Sequence, residues 1–239
     1  MQCPIIAEML ELFQQDHMDD VQCIDITHRE DIAVEKQIYY PFLTIFNQTL
    51  FWYGPVTADV LDGVRSNRIT REEPFLLSQS QAVVKGDLIP LSSSTMRLVQ
   101  QGCTMCGDCG QTKRKAEFLS SCGLDHFGFV HQLNGKTVGG VEWMPSLQVP
   151  YPIPKDKDTA FLTCVYHSSD TADFKSWPLL RLEERLRQTY QRILVISDEE
   201  STFPNGNKRW FEGHGYIDMG RIQVLDGYAC LHLMKKKLS

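Results

Sequence analysis

Residues Phe127-Gly-Phe-Val-His-Gln-Leu133, Asn134-Gly135 and Lys136-Thr-Val-Gly-Gly-Val-Glu-Trp143 decide the architecture. Two β-rich runs flank an Asn-Gly pair, which favours the positive φ angles of a type I′ turn, so the stretch predicts a β-hairpin. Downstream, a proline-rich loop over 145–154 leads to Ala160-Phe-Leu-Thr-Cys-Val-Tyr166, a strand. Residues 179–190 form an amphipathic helix, with Leu179, Leu182, Leu186 and Tyr190 on one side and Glu183, Glu184 and Arg187 opposite. Ile193-Leu-Val-Ile196 reads as a buried strand, 207–214 as a short helix ended by Gly215-Tyr216, and 221–224 and 228–234 as the last strands. Upstream, a strand is expected within 82–89, a helix over 94–101 and another over 113–121.

Residues 1–67 form a separate set. After Pro4, which suits a first helical turn, Ile5, Ile6, Met9, Leu10, Leu12 and Phe13 give one apolar helical face. Val21-Gln-Cys-Ile-Asp-Ile26 predicts a strand, 29–37 a short helix, and Phe42–Phe46 with Thr49–Tyr53 a hairpin turning at Asn47-Gln48. Thr57 is placed to cap a helix containing Val60, Leu61 and Val64. The polar stretch 68–81, with Arg68, Arg71, Glu72, Glu73 and Pro74, is the expected linker to a second unit over 82–239.

The chain has 239 residues, 42% hydrophobic and 23% charged, which excludes wholesale disorder and fits one large or two small domains. A net charge of −6 argues against binding nucleic acid by bulk electrostatics. No apolar run approaches the roughly 20 residues needed to span a bilayer, and the N-terminus lacks the basic and apolar regions of a signal peptide. A cytoplasmic protein with no membrane partner is the expectation, its oligomeric state open, a homodimer included. Of 8 cysteines, Cys103, Cys106, Cys109 and Cys122 fall in one short stretch. Their spacing suits tetrahedral zinc, and Gly107 and Gly110 would let the backbone turn around a metal; reactive unliganded thiols and a redox or sensing role stay open.

The order strand, helices, hairpin, strand, helix, strand, helix, strand over 82–239 resembles the GNAT-type N-acetyltransferases. The local matches are Val138-Gly-Gly-Val-Glu-Trp-Met-Pro145, Phe161-Leu-Thr-Cys-Val-Tyr166, Leu179-Leu180 and Trp210-Phe211-Glu212-Gly213-His214-Gly215-Tyr216. Residues 1–67, with Cys3-Pro4 and Pro41, resemble a small thioredoxin-like (YoaP-type) domain lacking its first strand and its second active-site cysteine. The implied fold is α+β or α/β: a mixed central sheet flanked by helices, preceded by that small α/β unit.

The resemblance implies acetyl-CoA as acyl donor and a small amine as acceptor. The pantetheine would lie in a slot between diverging strands, expected between the segments near Trp143 and Tyr166. Cys164, Val165 and Tyr166 would pair with the carrier's amides, and Lys175, Ser176 and Trp177 stand at the pyrophosphate end. Glu142 is the candidate general base; Phe211 stands where the family has its acid tyrosine, with Tyr166 and Tyr216 as the alternatives. Two departures accompany these expectations. The loop His167-Ser-Ser-Asp-Thr-Ala-Asp-Phe-Lys-Ser-Trp-Pro178 has no glycine, with Phe174 and Ser176 where the family's glycines belong, and Asp170 and Asp173 bring negative charge. A non-catalytic protein of this fold, binding a ligand or sensing through its thiols, is the alternative expectation.

Overall fold

The computed structural model describes residues 5–15, 21–68, 72–74, 76, 80, 82–102, 112–201 and 204–238. The N-terminal part contains α1 (Ile5–Gln15), α2 (Glu30–Glu35), β1 (Thr44–Phe46), β2 (Leu50–Trp52) and α3 (Ala58–Arg65). Asn47 and Gln48 turn the β1–β2 hairpin at φ 50° and 62°, and Thr57 Oγ1 accepts from Val60 N at 3.4 Å to cap α3. The strand expected at Val21–Ile26 is not formed; that segment is irregular, because no neighbouring strand pairs with it. Of the thioredoxin-like order, the described residues therefore contain the helices and the hairpin. Cys3 and Pro4 lie outside the described residues, as does part of the 68–81 linker.

The remainder is built on β3 (Asp87–Leu91), α4 (Thr112–Ser121), β4 (Gly128–Leu133), β5 (Lys136–Pro145), β6 (Thr159–His167), α5 (Ser176–Leu186), β7 (Arg192–Asp198), α6 (Lys208–Gly213), β8 (Ile217–Leu225) and β9 (Ala229–Lys237), with a 3-10 turn at Met96–Gln101. These strands form a 7-stranded mixed sheet in the order β3-β4-β5-β6-β7-β9-β8. Only β6 and β7 run parallel, joined by α5 as a crossover helix. The Asn134-Gly135 turn has φ of 51° and 76°, the type I′ geometry its sequence specifies.

Each face of the sheet buries its own core. On one, Val141, Trp143, Ala160, Leu162 and Val165 pack against Leu179, Leu182 and Leu186 of α5 and Phe211 of α6. On the other, Leu91, Val130, Met144 and Phe161 meet Met96, Val99, Ala116 and Leu119 from the 3-10 turn and α4. The N-terminal part continues this second core, since Met9, Phe13, Tyr40, Trp52 and Leu61 belong to one cluster with Leu194, Ile196, Leu231 and Leu233. Gln223 Nε2 donates to Gln37 O at 2.9 Å, and Lys155 pairs with Glu30 at 2.6 Å across the same junction.

Candidate functional site

The sheet opens at its one parallel junction. β6 and β7 are in register at Thr159↔Arg192, Ala160↔Ile193 and Phe161↔Leu194, and the pairing stops there. The cause lies on the other edge of β6. Its ladder with β5 runs Glu142↔Cys164 and then Trp143↔Leu162, so Thr163 is one residue too many. A bulge of this kind bends its strand and increases its twist, which carries the rest of β6 away from β7. It also resets the alternation, so that Val165, and not Cys164, follows Leu162 onto the α5 face.

This corrects the expected position of the slot. The segments near Trp143 and Tyr166 are zipped together from Gly139↔His167 to Pro145↔Ala160, and the opening lies one strand further on. On its far side, Asn205 Nδ2 donates to Ile196 O at 3.0 Å, and Asn207 bridges Asp198 along the edge that β6 has left. Thr163 Oγ1 on β6, Ser197 Oγ on β7 and Asn205 Oδ1 are buried without a hydrogen-bond partner among the described residues. Buried polar atoms left this way cost stability unless something satisfies them, so the diverging strands fit the amides of an extended ligand.

The mouth of the opening is crowded with charge. Asp173 Oδ1 accepts from Lys175 N and from Ser176 N, both at 2.9 Å, and Ser176 Oγ hydrogen-bonds Asp173 Oδ2. Ser176 Oγ also lies 2.6 Å from His214 Nε2, while His214 Nδ1 donates to Trp210 O at 2.7 Å. Trp210 Nε1 reaches Asp173 Oδ2 at 3.4 Å. Burial alone would raise the Asp173 pKa, but these donors together hold it below the ordinary carboxylate value. The start of α5, with Ser176 as its first helical residue, is thus capped by Asp173. An anion of a ligand finds those N–H groups taken. The residues fit the pantetheine arm of acetyl-CoA and do not fit its pyrophosphate at this helix end.

Lys175 is 3% exposed, with Nζ 4.4 Å from the centre of the Trp210 ring. Burial lowers its pKa to about 8 against the opposing influence of Asp173 and Cys164. His167 is held below the ordinary imidazole value, chiefly by burial and then by the Lys175 charge; its Nδ1 donates to Ser169 O at 2.6 Å. Trp177 turns outward and donates Nε1 to Gly86 O at 3.1 Å. Val84 N donates to Asp173 O at 3.2 Å, and Asp173 N donates to Ala82 O at 2.8 Å, so residues 82–86 strap down the loop.

Glu142 sits on β5, one strand from the opening, fully buried and paired with Lys115 Nζ at 2.5 Å. Tyr166 lies on the same face as Glu142, its ring against Gly140 and Gly102. Cys164 is half-buried opposite Glu142, and Val165 is buried beneath α5. Phe211 is fully buried against Tyr216. The structure therefore brings Cys164, Val165, Lys175 and Ser176 around the opening and leaves Trp177 at its outer rim. Beside α4, an open groove is bordered by Ser93, Ser94, Arg97, Lys113, Glu117 and Ser120. Sequence reasoning missed Lys115, the three orphaned polar atoms and His214 as a partner of Ser176. The Asp173-x-x-Ser176 spacing was the one signal available for the cap.

Cys103, Cys106 and Cys109 lie outside the described residues. Cys122, after α4, is a free thiol whose pKa is raised by burial. No described helix is long and apolar enough to cross a membrane.

No protein-family model matches the chain. No curated protein matches it in sequence. Among solved structures it is similar to an N-acetyltransferase from Staphylococcus aureus Mu50, at 14% identity over 65% of this chain and 100% of that one, TM-score 0.48. A putative acetyltransferase from Salmonella typhimurium solved with its cofactor acetyl-CoA gives 12% identity over 64% and 94%, TM-score 0.48. The ribosomal-protein-S18-alanine N-acetyltransferase from Escherichia coli gives 12% over 64% and 94%, TM-score 0.46.

Proposed function

We propose that the protein is an acyl-CoA-dependent N-acyltransferase, with acetyl-CoA as donor and a small polar amine as acceptor. One observation carries the reading: β6 parts from β7 after Phe161↔Leu194 and leaves unpartnered polar atoms along the opening. The donor supplies an activated thioester. The free edge of β6 at Cys164–Tyr166 orients it, so that acceleration comes from positioning and from backbone donors at the developing oxyanion. The amine attacks the thioester carbonyl, the C–S bond breaks and the CoA thiolate leaves; Glu142 takes the amine proton through water, with Lys115 compensating its burial, and Tyr166 gives its proton to the departing thiolate. Lys175, Ser176 and Trp177 border the donor's outer end, where Asp173 replaces phosphate as the helix-terminal anion. The groove beside α4, bordered by both Arg97 and Glu117, suits a polar acceptor. The cysteine stretch, Cys103, Cys106, Cys109 and Cys122, is proposed to hold zinc.

Calorimetric titration with acetyl-CoA and with acetyl-pantetheine tests the reading. Saturable heat with both, of similar affinity, is expected, because the phosphates find no site at α5. Absence of heat with either ligand at millimolar concentration overturns it. A second reading, a non-catalytic scaffold of the same fold, is favoured by the internally capped α5 and by Phe211. It requires binding without turnover of any amine.

A further inference from the structure

At the end of β7, on the side where β9 pairs with it, three donors of different kinds converge. Glu199 follows β7 directly, while Cys230 and His232 stand two apart on β9 and so share a face. One donor atom from each lies within 4.8 Å of the others. His232 Nε2 is 2.9 Å from Glu199 Oε1 and 3.7 Å from Cys230 Sγ.

We propose that Glu199, Cys230 and His232 bind a single divalent transition metal of zinc type. Carboxylate oxygen, thiolate sulfur and imidazole nitrogen together suit zinc or cobalt(II) and suit magnesium or calcium poorly. With bonds of about 2.0 Å to nitrogen or oxygen and about 2.3 Å to sulfur, tetrahedral donors stand roughly 3.3–3.6 Å apart. The sulfur–nitrogen separation already has that scale. The Glu199 side chain has only to withdraw by a few tenths of an ångström, and it is 47% exposed and free to do so.

A second observation points the same way. His232 Nδ1 meets both oxygens of Asp218, at 2.9 and 2.8 Å. Donation of Nδ1–H to Asp218 fixes the ring, so that once a metal displaces the Nε2 proton now facing Glu199, the Nε2 lone pair is aimed at that metal. Asp218 is itself anchored by Lys208 Nζ at 3.0 Å and by Gly220 N at 2.8 Å, so it is a positioning residue. On binding, the Cys230 proton, with any proton held on Nε2, leaves to solvent. The metal would tie the start of the 199–207 segment to β9.

The test is titration of the full chain with cobalt(II), read by thiolate-to-cobalt absorption and by calorimetry. Wild type is expected to take two equivalents, one at the 103–122 cysteines and one here, and the C103S/C106S/C109S variant a single equivalent that still carries the absorption band. In that triple-serine background, Cys230→Ser is expected to abolish the band and weaken binding at least tenfold. Asp218→Asn is expected to weaken it roughly 10–100-fold with the band retained, which a purely structural role would not produce. Glu199→Gln, an exposed change that leaves folding intact, is expected to weaken it as well. Absence of stoichiometric binding in the C103S/C106S/C109S variant, or binding unchanged by Cys230→Ser, overturns the site.

Discussion

Asp173 and Ser176 close the start of α5 on each other: Asp173 Oδ1 accepts from Ser176 N at 2.9 Å, and Ser176 Oγ hydrogen-bonds Oδ2 of the same carboxylate. A carboxylate three residues ahead, bonded to free helical N–H groups, is an N-cap in all but the helix numbering. It places negative charge where an anionic ligand would otherwise bind.

Replacing Asp173 by Ala is expected to lower stability by about 1 kcal/mol through loss of the cap, measured by urea unfolding. The same change is expected to raise affinity for acetyl-CoA above that for acetyl-pantetheine, because freed N–H groups then face the phosphates. Equal affinity for the two ligands in the variant would remove Asp173 as the cause of their equivalence in wild type.

The Asp173 pKa lies below its ordinary value of 3.8. Its contribution to stability is therefore fully present above that value and is lost as pH falls through the folded-state pKa. Wild type minus Asp173→Asn, followed by urea midpoint from pH 5 downward, is expected to shrink at the acid end only.

Lys175 has the same sign in an alkaline window. Its pKa falls from 10.5 to about 8, so the unfolded chain binds its proton more tightly than the folded one between those values. Stability attributable to this residue rises with pH across that window. Lys175→Met is expected to abolish the rise, and a wild-type profile parallel to that of the variant would refute the assignment.

Lys115 and Glu142 form an ion pair with side-chain exposures of 6% and 0%. Lys115→Met strands a buried carboxylate and is expected to cost about 3–5 kcal/mol. The double change with Glu142→Leu is expected to recover most of that loss, as a denaturant double-mutant cycle would register.

Gly140 is a packing requirement at the candidate site. A Cβ there would lie 2.4 Å from Tyr166 Oη and 2.8 Å from Phe129 O. Gly140→Ala is expected to cost about 1–3 kcal/mol and to displace the Tyr166 ring, visible as a changed tyrosine fluorescence or near-ultraviolet dichroism.

What the sequence disclosed was mostly local. The Asn134-Gly135 hairpin, the Leu179–Leu182–Leu186 stripe and the Thr57 cap of α3 are written in neighbouring residues and are found in place. Val21–Ile26 has the composition of a strand, yet a strand needs an adjacent partner, and composition cannot supply one. The opening was assigned to the wrong junction for a related reason. Which edge of β6 stays paired depends on Thr163 being surplus to the ladder with β5, and a bulge leaves no mark in the residues of one strand. Lys115 escaped notice because it reads as an ordinary surface lysine of an amphipathic helix, and only the folded sheet sets it against Glu142. The Asp173 charge was legible as a departure from the family loop, but its service as helix cap required the loop's path.

The main-chain bonds from Val84 to Asp173 and from Asp173 to Ala82, with the Trp177–Gly86 contact beside them, give residues 82–86 a mechanical position. Any ligand that reshapes the loop before α5 must first unstitch this strap. Slack released there passes directly into the connection toward the N-terminal third, so protease access around residues 82–86 is a readout of events at the far end of β6.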